Sequence, residues 1–349
     1  MYVHVPFCAR RCDYCAFATW TDRSHLIDRY LDACHLEVQR AVDAGMAPAT
    51  SVFVGGGTPS LVPAAALLRV LAAVSRAPGA EISVECNPDT VTAELLAAYR
   101  DGGVNRLSFG VQSTVPHVLA SLGRTHDRAH VDRCVELARA AGFDSFNLDV
   151  IYGAVGESVD DWRQTLRDVI ALDPPHVSAY ALTVEPGTAL ADDPARHPDD
   201  DDQADKYLIA TELLGDAGYD WYEISNWARP GHECRHNLLY WKQHDYLGFG
   251  SAAHSHESGR RWWNLRTPER YIEAVEAGRS AEGGGEDLDD ETRRFERLEL
   301  ALRTTDGVDA DALPVADLEG LVEVDDRGRA VLTVAGRLLA SEVAIRLRT

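Results

Sequence analysis

The chain has 349 residues, of which 45% are hydrophobic and 26% are charged, and its formal net charge is −22. This length is typical of two domains or of one large barrel with an appendage. The acidity argues against nucleic acid as a partner and against docking on an anionic membrane, because both require a basic surface. No apolar stretch reaches the roughly 20 residues that span a bilayer, so we expect a cytoplasmic protein without a membrane span.

Short β-rich segments alternate with helix-length segments through the first 185 residues. The predicted strands are Tyr2–Val5, Ser51–Val54, Glu81–Glu85, Arg106–Phe109, Ser145–Ile151 and His176–Leu182. The predicted helices are Leu26–Ala44, Ala64–Ser75, Thr92–Arg100, Val115–Leu122, Arg128–Ala140 and Asp160–Leu172. This alternation predicts an α/β fold with a parallel sheet covered by helices. Six units fall short of a complete barrel of about 250 residues, so we expect an open, partial (β/α)6 barrel.

The pattern changes after Glu185. A loop rich in proline and aspartate precedes a predicted helix over Gln203–Gly215, and a block rich in aromatic residues follows. We assign residues 1–185 to the core barrel and residues 186–280 to an extension of it. The sequence S-A-E-G-G-G-E-D-L-D-D comes next, and its composition predicts a linker.

The last segment, residues 286–349, predicts a small C-terminal α+β domain. An amphipathic helix over Glu291–Arg303 comes first, and Val322–Val324 and Ala330–Leu332 predict a hairpin. This combination predicts a winged-helix-like arrangement. The acidity of the segment argues against DNA binding by the hairpin.

Polar or glycine-rich segments follow five of the predicted strands. They are P-F-C-A-R-R-C, G-G-G-T-P-S, C-N-P-D-T, G-V-Q-S and Y-G-A-V-G-E. In parallel α/β folds, ligands bind at the carboxyl ends of the strands. We therefore expect these five segments to converge on one site.

Three of the seven cysteines, Cys8, Cys12 and Cys15, lie within eight residues of one another. Three thiolates on a short loop can hold three corners of a [4Fe–4S] cluster and leave one iron free for another ligand. The alternative is a zinc site, in which His4 or His25 would supply the missing ligand. We favour the cluster, because aromatic residues flank the cysteines and would shield it.

The spacing C-x3-C-x2-C after a first strand, with G-G-G-T-P after the second, resembles the radical S-adenosylmethionine (SAM) superfamily. The resemblance implies that the amino and carboxylate groups of SAM chelate the free iron. In this family the reduced cluster passes one electron to the sulfonium, which gives methionine and a 5′-deoxyadenosyl radical. The resemblance also implies that Gly56, Gly57 and Thr58 contact the methionine end of SAM.

Further SAM contacts are implied at the ends of other strands. Glu85 closes the third predicted strand, Gln112 follows the fourth, and Asp149 lies in the fifth. A carboxylate at such a place suits a ribose hydroxyl or an ammonium group, and Arg124 could pair with the SAM carboxylate. Tyr2 matches another contact position of the family. Taken singly, each of these residues could equally be a solvated polar residue.

Nearly the whole chain resembles one subgroup, the oxygen-independent coproporphyrinogen III oxidases and the HemW-type haem chaperones. The segments Y-V-H-V-P-F-C, F-V-G-G-G-T-P-S, R-L-S-F-G-V-Q-S, L-D-V-I-Y-G and Y-E-I-S-N-W-A carry the resemblance. The oxidases have a further cysteine two positions after the third, where this chain has Phe17. The chaperones carry H-N-x-x-Y-W, which is present here at residues 236–241.

The H-N-x-x-Y-W segment is the predicted haem contact. Histidine is a common axial ligand of haem iron, so His236 could bind haem while the neighbouring Tyr and Trp stack on the porphyrin. Other ligands remain open, and the candidates are His232, Cys234, His244, His254 and His256. The structural alternative is that His236 and its aromatic neighbours form a packed edge of the domain.

Two functions follow from the resemblance. The first is a haem chaperone that carries a SAM-bound [4Fe–4S] cluster, lacks coproporphyrinogen oxidase activity and passes haem to an acceptor haemoprotein. The second is an enzyme, a coproporphyrinogen III oxidase that decarboxylates propionates by radical chemistry. We expect no nucleic-acid partner, and a homodimer is a possible assembly.

Overall fold

The computed structural model describes residues 1–313 and 315–347. The strands of its largest sheet are β1 (Tyr2–Val5), β2 (Ala49–Gly56), β3 (Arg76–Cys86), β4 (Arg106–Gln112), β5 (Phe146–Tyr152), β6 (His176–Ala181), β7 (Asp220–Glu223), β8 (Asn226–Ala228) and β9 (Gly248–Phe249). The helices that accompany them are α1 (Ile27–Asp43), α2 (Ala64–Ala72), α3 (Ala93–Asp101), α4 (Pro116–Ser121), α5 (Arg128–Ala140), α6 (Val159–Ala171), α7 (Asp200–Asp216) and α8 (Arg235–Trp241).

The sheet has the order β7-β8-β6-β5-β4-β3-β2-β1-β9, and β1 to β6 are parallel neighbours. Strands β7 and β8 extend it in antiparallel fashion beyond β6, and β9 pairs in parallel with the other side of β1. The two ends of the sheet, β7 and β9, do not pair with each other among the described residues. The predicted open, partial (β/α)6 barrel is therefore confirmed.

Local sequence explains where the core helices begin and which face they bury. In α1, Tyr30, Cys34 and Val38 recur at intervals of four and are all buried, which is the spacing of one helix face. Asp127 starts α5 and Ser158 starts α6, each with its side chain accepting a backbone N–H of the first turn. These helices lie within one residue of their predicted bounds.

The remaining elements follow the barrel in the chain. They are β10 (His254–Glu257), β11 (Arg260–Asn264), α9 (Pro268–Glu276), β12 (Glu282–Asp287), α10 (Asp290–Ala301), β13 (Val308–Asp309), β14 (Val322–Val324), β15 (Arg329–Leu332), α11 (Val334–Leu338) and α12 (Ala340–Arg346). Strands β10, β11 and β12 form one small antiparallel sheet, and β13, β15 and β14 form another. The predicted hairpin is confirmed as β14 and β15, where Val322 pairs with Leu332.

The predicted linker is wrong, because its central residues form β12 and pair antiparallel with β11. Trp263 stands opposite Gly284, and a Cβ added to Gly284 would lie 2.8 Å from the indole Cζ2. The glycines that suggested a linker therefore make room for the ring of a neighbouring strand. None of the described helices combines the length and apolar character that a membrane crossing needs.

Candidate functional site

A cavity of about 540 Å³ lies at the carboxyl ends of β1 to β6. Four of the five polar segments contribute side chains to it, as the parallel sheet requires. The fifth, Y-G-A-V-G-E, is not among the lining residues. The buried carboxylate of Glu157 accepts the N–H of Gly153 at 2.7 Å and pairs with Lys206 Nζ at 3.1 Å, which folds that segment back on itself.

The three clustered cysteines line the cavity together, and each is a half-buried free thiol. Thr58 Oγ1 donates to Cys8 Sγ at 3.7 Å, and Arg124 Nη1 donates to Cys12 Sγ at 3.7 Å. Burial raises the pKa of the Cys8 and Cys15 thiols, so their thiolates need a cation beside them. Three sulfurs on one wall of an open cavity fit an iron–sulfur cluster with one uncovered iron.

The two histidines considered as zinc ligands are placed differently from the cysteines. His4 Nε2 bonds to the carbonyl of Ala18 at 2.9 Å, and His4 Nδ1 bonds to Tyr2 Oη at 3.0 Å. His25 is exposed on a single turn before α1 and does not line the cavity. Within residues 1–313 and 315–347, no three His, Cys, Asp or Glu side chains are grouped as a single metal ion would require. The zinc alternative thus lacks its fourth ligand.

Glycines bring the end of β2 against the cysteine loop. Gly56 has a φ of 111°, and a Cβ there would lie 2.4 Å from His4 Cε1. A Cβ on Gly57 would lie 2.6 Å from the carbonyl oxygen of Phe7 and 3.0 Å from Cys8 Sγ. Any side chain at these two positions would push the turn away from the thiols.

Two half-buried carboxylates face the cavity, Glu85 from β3 and Asp149 from β5. Burial, with the nearby charge of Asp149, raises the pKa of Glu85 to about 7, although Gly56 N–H donates to its Oε2 at 3.0 Å. Burial also raises the pKa of Asp149, whose oxygens accept from Ser108 Oγ at 2.9 Å and Asn147 Nδ2 at 2.6 Å. A cavity with this charge suits a ligand that carries an ammonium group, a sulfonium or hydroxyls.

Gln112, the last residue of β4, and Arg124, which follows α4, lie on one wall of the cavity. Arg124 Nη2 donates to the carbonyl of Gly110 at 2.8 Å and to Asn87 Oδ1 at 3.3 Å. Gln112 has a φ of 64°, at an irregularity of the β4–β5 pairing, and its buried Oε1 has no hydrogen-bond partner among the described residues. Strained backbone and an unpaired acceptor at a cavity wall indicate a ligand-binding position.

Tyr2 and His236 are the predicted site residues that do not line this cavity. Tyr2 bonds to His4, and its ring stacks on Phe53 with centroids 6.4 Å apart. His236 lies near the start of β2, at the amino end of the barrel, where its Nδ1 bonds to Ser51 Oγ at 2.8 Å. The remaining ten predicted residues meet in the cavity.

Some cavity residues were missed by the sequence reasoning. They are Arg10, Arg11, Asn87, Ser108, Tyr180 and Glu185. Asn87 directly follows β3, so the rule about carboxyl ends of strands could have found it, whereas Ser108 lies inside β4 and gave no such signal. Tyr180 at the end of β6 could have been found in the same way as Asn87.

Comparison with known proteins agrees with this geometry. Residues 2–169 match the model of the Radical SAM superfamily. The chain is 41% identical to the "Heme chaperone HemW" of Mycobacterium tuberculosis over 98% of this chain and 93% of that protein. It is 37% identical to the Escherichia coli protein of the same name, over 87% of this chain and 84% of that protein.

A solved structure gives the same fold. The coproporphyrinogen III oxidase HemN of Escherichia coli, described as a radical SAM enzyme, superposes with a TM-score of 0.85 and 26% identity. The match covers 100% of this chain and 89% of that one. The fold and the resemblance predicted from the sequence are both confirmed, and the chain belongs to the HemW family of the radical SAM superfamily.

Proposed function

We propose that this protein is a haem chaperone, which binds haem and passes it to an acceptor haemoprotein. The observation that carries the proposal is the identity of 41% over 98% of the chain to a protein named as a haem chaperone. Phe17 supports it, because the resemblance places a further cysteine at that position in the oxidases.

We further propose that Cys8, Cys12 and Cys15 hold a [4Fe–4S] cluster whose open iron binds SAM. When bound, such a cluster supplies one-electron reduction at low potential. The donors from Thr58 and Arg124 would stabilise the thiolates of the loop.

The cavity also offers groups for SAM itself. Gly56 and Gly57 would let its methionine end approach the backbone, while Glu85 and Asp149 would receive its cationic and hydroxyl groups. Gln112 would offer its unpaired Oε1 as an acceptor. Direct SAM contact by Tyr2 stays a prediction, and its described polar contact is with His4.

Anaerobic reconstitution with iron and sulfide tests the cofactor proposal. After reduction with dithionite to the paramagnetic [4Fe–4S]+ state, we expect a cubane electron paramagnetic resonance (EPR) signal that shifts on addition of SAM, and its complete loss when the three cysteines are replaced by alanine. A variant with Cys34→Ala, a buried thiol of α1 away from the cavity, is the matched control and should keep the signal. A cubane signal that survives the triple replacement would contradict the assignment.

Haemin titration of the cluster-loaded protein tests the chaperone proposal. We expect a saturable Soret band at micromolar haemin and transfer of that band to an added apo-haemoprotein. Absence of haem binding by the wild type would refute the proposed function.

The second candidate is a coproporphyrinogen III oxidase. The observation that favours it is the TM-score of 0.85 to the oxidase HemN over the whole chain. Anaerobic turnover of coproporphyrinogen III with SAM and a reductant separates the two functions. We expect no protoporphyrinogen, and its formation would replace the chaperone proposal by the enzyme.

A further inference from the structure

The packing of His236 conflicts with a role as a haem ligand in this conformation. Its side chain is buried, with 1% of the residue exposed, and it stacks on Phe53 with centroids 5.2 Å apart. Nδ1 bonds to Ser51 Oγ at 2.8 Å, and Nε2 bonds to Tyr240 Oη at 2.9 Å. Iron coordination would have to break one of these bonds and open the packing between α8 and β2.

Aromatic side chains at the mouth of the cavity are exposed, in contrast to the buried His236. Phe17, on the cysteine loop, is 61% exposed, and Tyr180, at the end of β6, is 38% exposed. Both side chains line the cavity together with the buried Ile151. Aromatic side chains exposed at the rim of a cavity provide a surface for a flat apolar ligand.

The lining of the same cavity includes two cationic side chains. Arg10 and Arg11 are exposed, line the same cavity, and form no ion pair with a carboxylate in the described part of the chain. Arg11 donates from Nε and Nη2 to the carbonyl of Cys15, at 3.4 and 3.1 Å. Adjacent arginines without carboxylate partners are notable in a chain with 56 acidic and 34 basic residues. Glu185 lies on the rim as well and would repel a carboxylate, so an anionic group is directed towards the arginines.

We infer that haem docks across the mouth of the barrel, with its macrocycle on Phe17 and Tyr180 and its propionates on Arg10 and Arg11. The inference rests on the proposed haem binding and moves the site away from the H-N-x-x-Y-W segment. Haem has the chemistry that this surface recognises, namely a flat apolar face and two carboxylates. Arg10 would bind one carboxylate through paired N–H donors, and Arg11 would bind the other through Nη1, which does not donate to Cys15. An open mouth also lets an acceptor protein reach the bound haem directly.

Haemin titration of cluster-loaded variants tests the site. Arg10→Glu and Phe17→Ala change exposed side chains, and each should weaken haemin binding by about tenfold, the loss of one charge-assisted contact or of one aromatic contact. Arg270→Glu, an exposed arginine of α9 away from the cavity, is the matched charge control and should bind as the wild type does. His236→Gln should also bind haemin normally.

The outcomes separate this inference from the proposed function. If Arg10→Glu and Phe17→Ala bind haemin as the wild type does, the mouth is not the site. If His236→Gln alone loses binding, haem binds at the H-N-x-x-Y-W segment and the chaperone proposal stands. If the wild type binds no haemin, the proposed function itself fails.

A second measurement needs no variant. Haem at the mouth covers the opening of the cavity, so haem-loaded protein should take up SAM more slowly, as followed by the EPR change of the cluster. Haem at the amino end of the barrel would leave that rate unchanged, and an unchanged rate would overturn the inference.

Discussion

Polar side chains at the amino end of the barrel are hydrogen-bonded within the protein, whereas those at the carboxyl end face an open cavity. At the amino end, Glu81 caps α8 by accepting the N–H groups of Arg235 at 3.2 Å and His236 at 3.0 Å. At the carboxyl end, Glu85 from the same strand is half-buried beside Asp149, and its only hydrogen bond among the described residues comes from Gly56 N–H. Glu81 and Glu85 lie four residues apart on β3. Glu81 caps a helix at the amino end, which is packed closed, whereas Glu85 faces the open cavity at the carboxyl end.

This contrast shows which end is prepared for a ligand. Buried polar groups are normally paired, so a wall that keeps an unpaired acceptor and two carboxylates carries an energetic cost in the free protein. Binding of a complementary ligand offsets that cost. At the amino end, Glu81 and His236 already have hydrogen-bond partners within the protein, as polar groups in a packed core do.

Acidification should reveal how firmly the fold depends on neutral buried histidines. Burial lowers the pKa of His4 and His126 to about 4 and that of His236 to about 3, against 6.5 for a free side chain. The unfolded chain therefore binds protons first, and stability is lost as pH falls below about 6.5. One pH unit below that value should remove about 4 kcal/mol from the free energy of unfolding, about 1.4 per histidine.

Urea unfolding of the Glu85→Gln variant at pH 7.5 and 5.5 measures this loss, because protonation of Glu85 would stabilise the wild type over the same range. Equal free energies of unfolding in that variant, together with imidazole NMR signals that titrate near pH 6.5 in the folded protein, would show that these histidines are already charged in the fold.

Shortening a side chain should cost more stability at the closed amino end of the barrel than at the open carboxyl end. His236→Ala leaves a cavity beside Phe53 and strands the hydroxyls of Ser51 and Tyr240, so we expect a loss of about 3 kcal/mol of stability. Phe17→Ala at the open end removes an exposed ring and should change stability by less than about 0.5 kcal/mol. If the two variants lost equal amounts of unfolding free energy in urea, the two ends would not differ in packing as described.

The open end should become more stable when its charge is removed. The raised pKa of Glu85, about 7, means that the folded state disfavours its ionised form, and stability is lost as pH rises from about 4.5 to 7. Glu85→Gln keeps an acceptor for Gly56 N–H and should raise the free energy of unfolding at pH 8 by about 2 kcal/mol.

The stability advantage of the Glu85→Gln variant should shrink as the pH is lowered from 8 to 5.5, because the carboxyl of the folded wild type then takes up a proton. The same variant should weaken SAM binding. A variant that is less stable than the wild type at pH 8 would mean that Glu85 is stabilised by its surroundings.

The smallest expected effect concerns the strained residue of the cavity wall. Gln112→Gly relieves the cost of a φ of 64° and loses an unpaired buried amide, so stability should change by less than about 1 kcal/mol. SAM binding, followed by the EPR shift of the cluster, should nevertheless weaken. Unchanged SAM binding together with a large loss of stability would make Gln112 a structural residue.

Much of the fold could be predicted because the alternation of strand and helix patterns is visible in the sequence. Strands β1 to β6 and their helices alternate regularly, and the carboxyl ends of parallel strands must share one edge, which brought ten of the twelve predicted residues into one cavity. The prediction failed at β12, because composition does not show that Gly284 faces the ring of Trp263.

The placement of His236 and of the rim residues could not be read in the same way. A short motif with histidine and aromatic residues is compatible with either a ligand site or a packed core, and only the neighbours decide. Those neighbours, Ser51 and Phe53, lie 183 or more positions away in the chain. Exposure of Phe17 likewise depends on what the opposite rim of the barrel leaves uncovered.

The pairing of β9 with β1 has a consequence for biosynthesis. The N–H of Tyr2 bonds to the carbonyl of Leu247 at 2.8 Å, so one flank of the first strand stays bare until more than two thirds of the chain has been translated. Contacts this distant in sequence close late. Strand β1, from which the cysteine loop leaves, therefore gains its second neighbour only after β2 to β8 have been made.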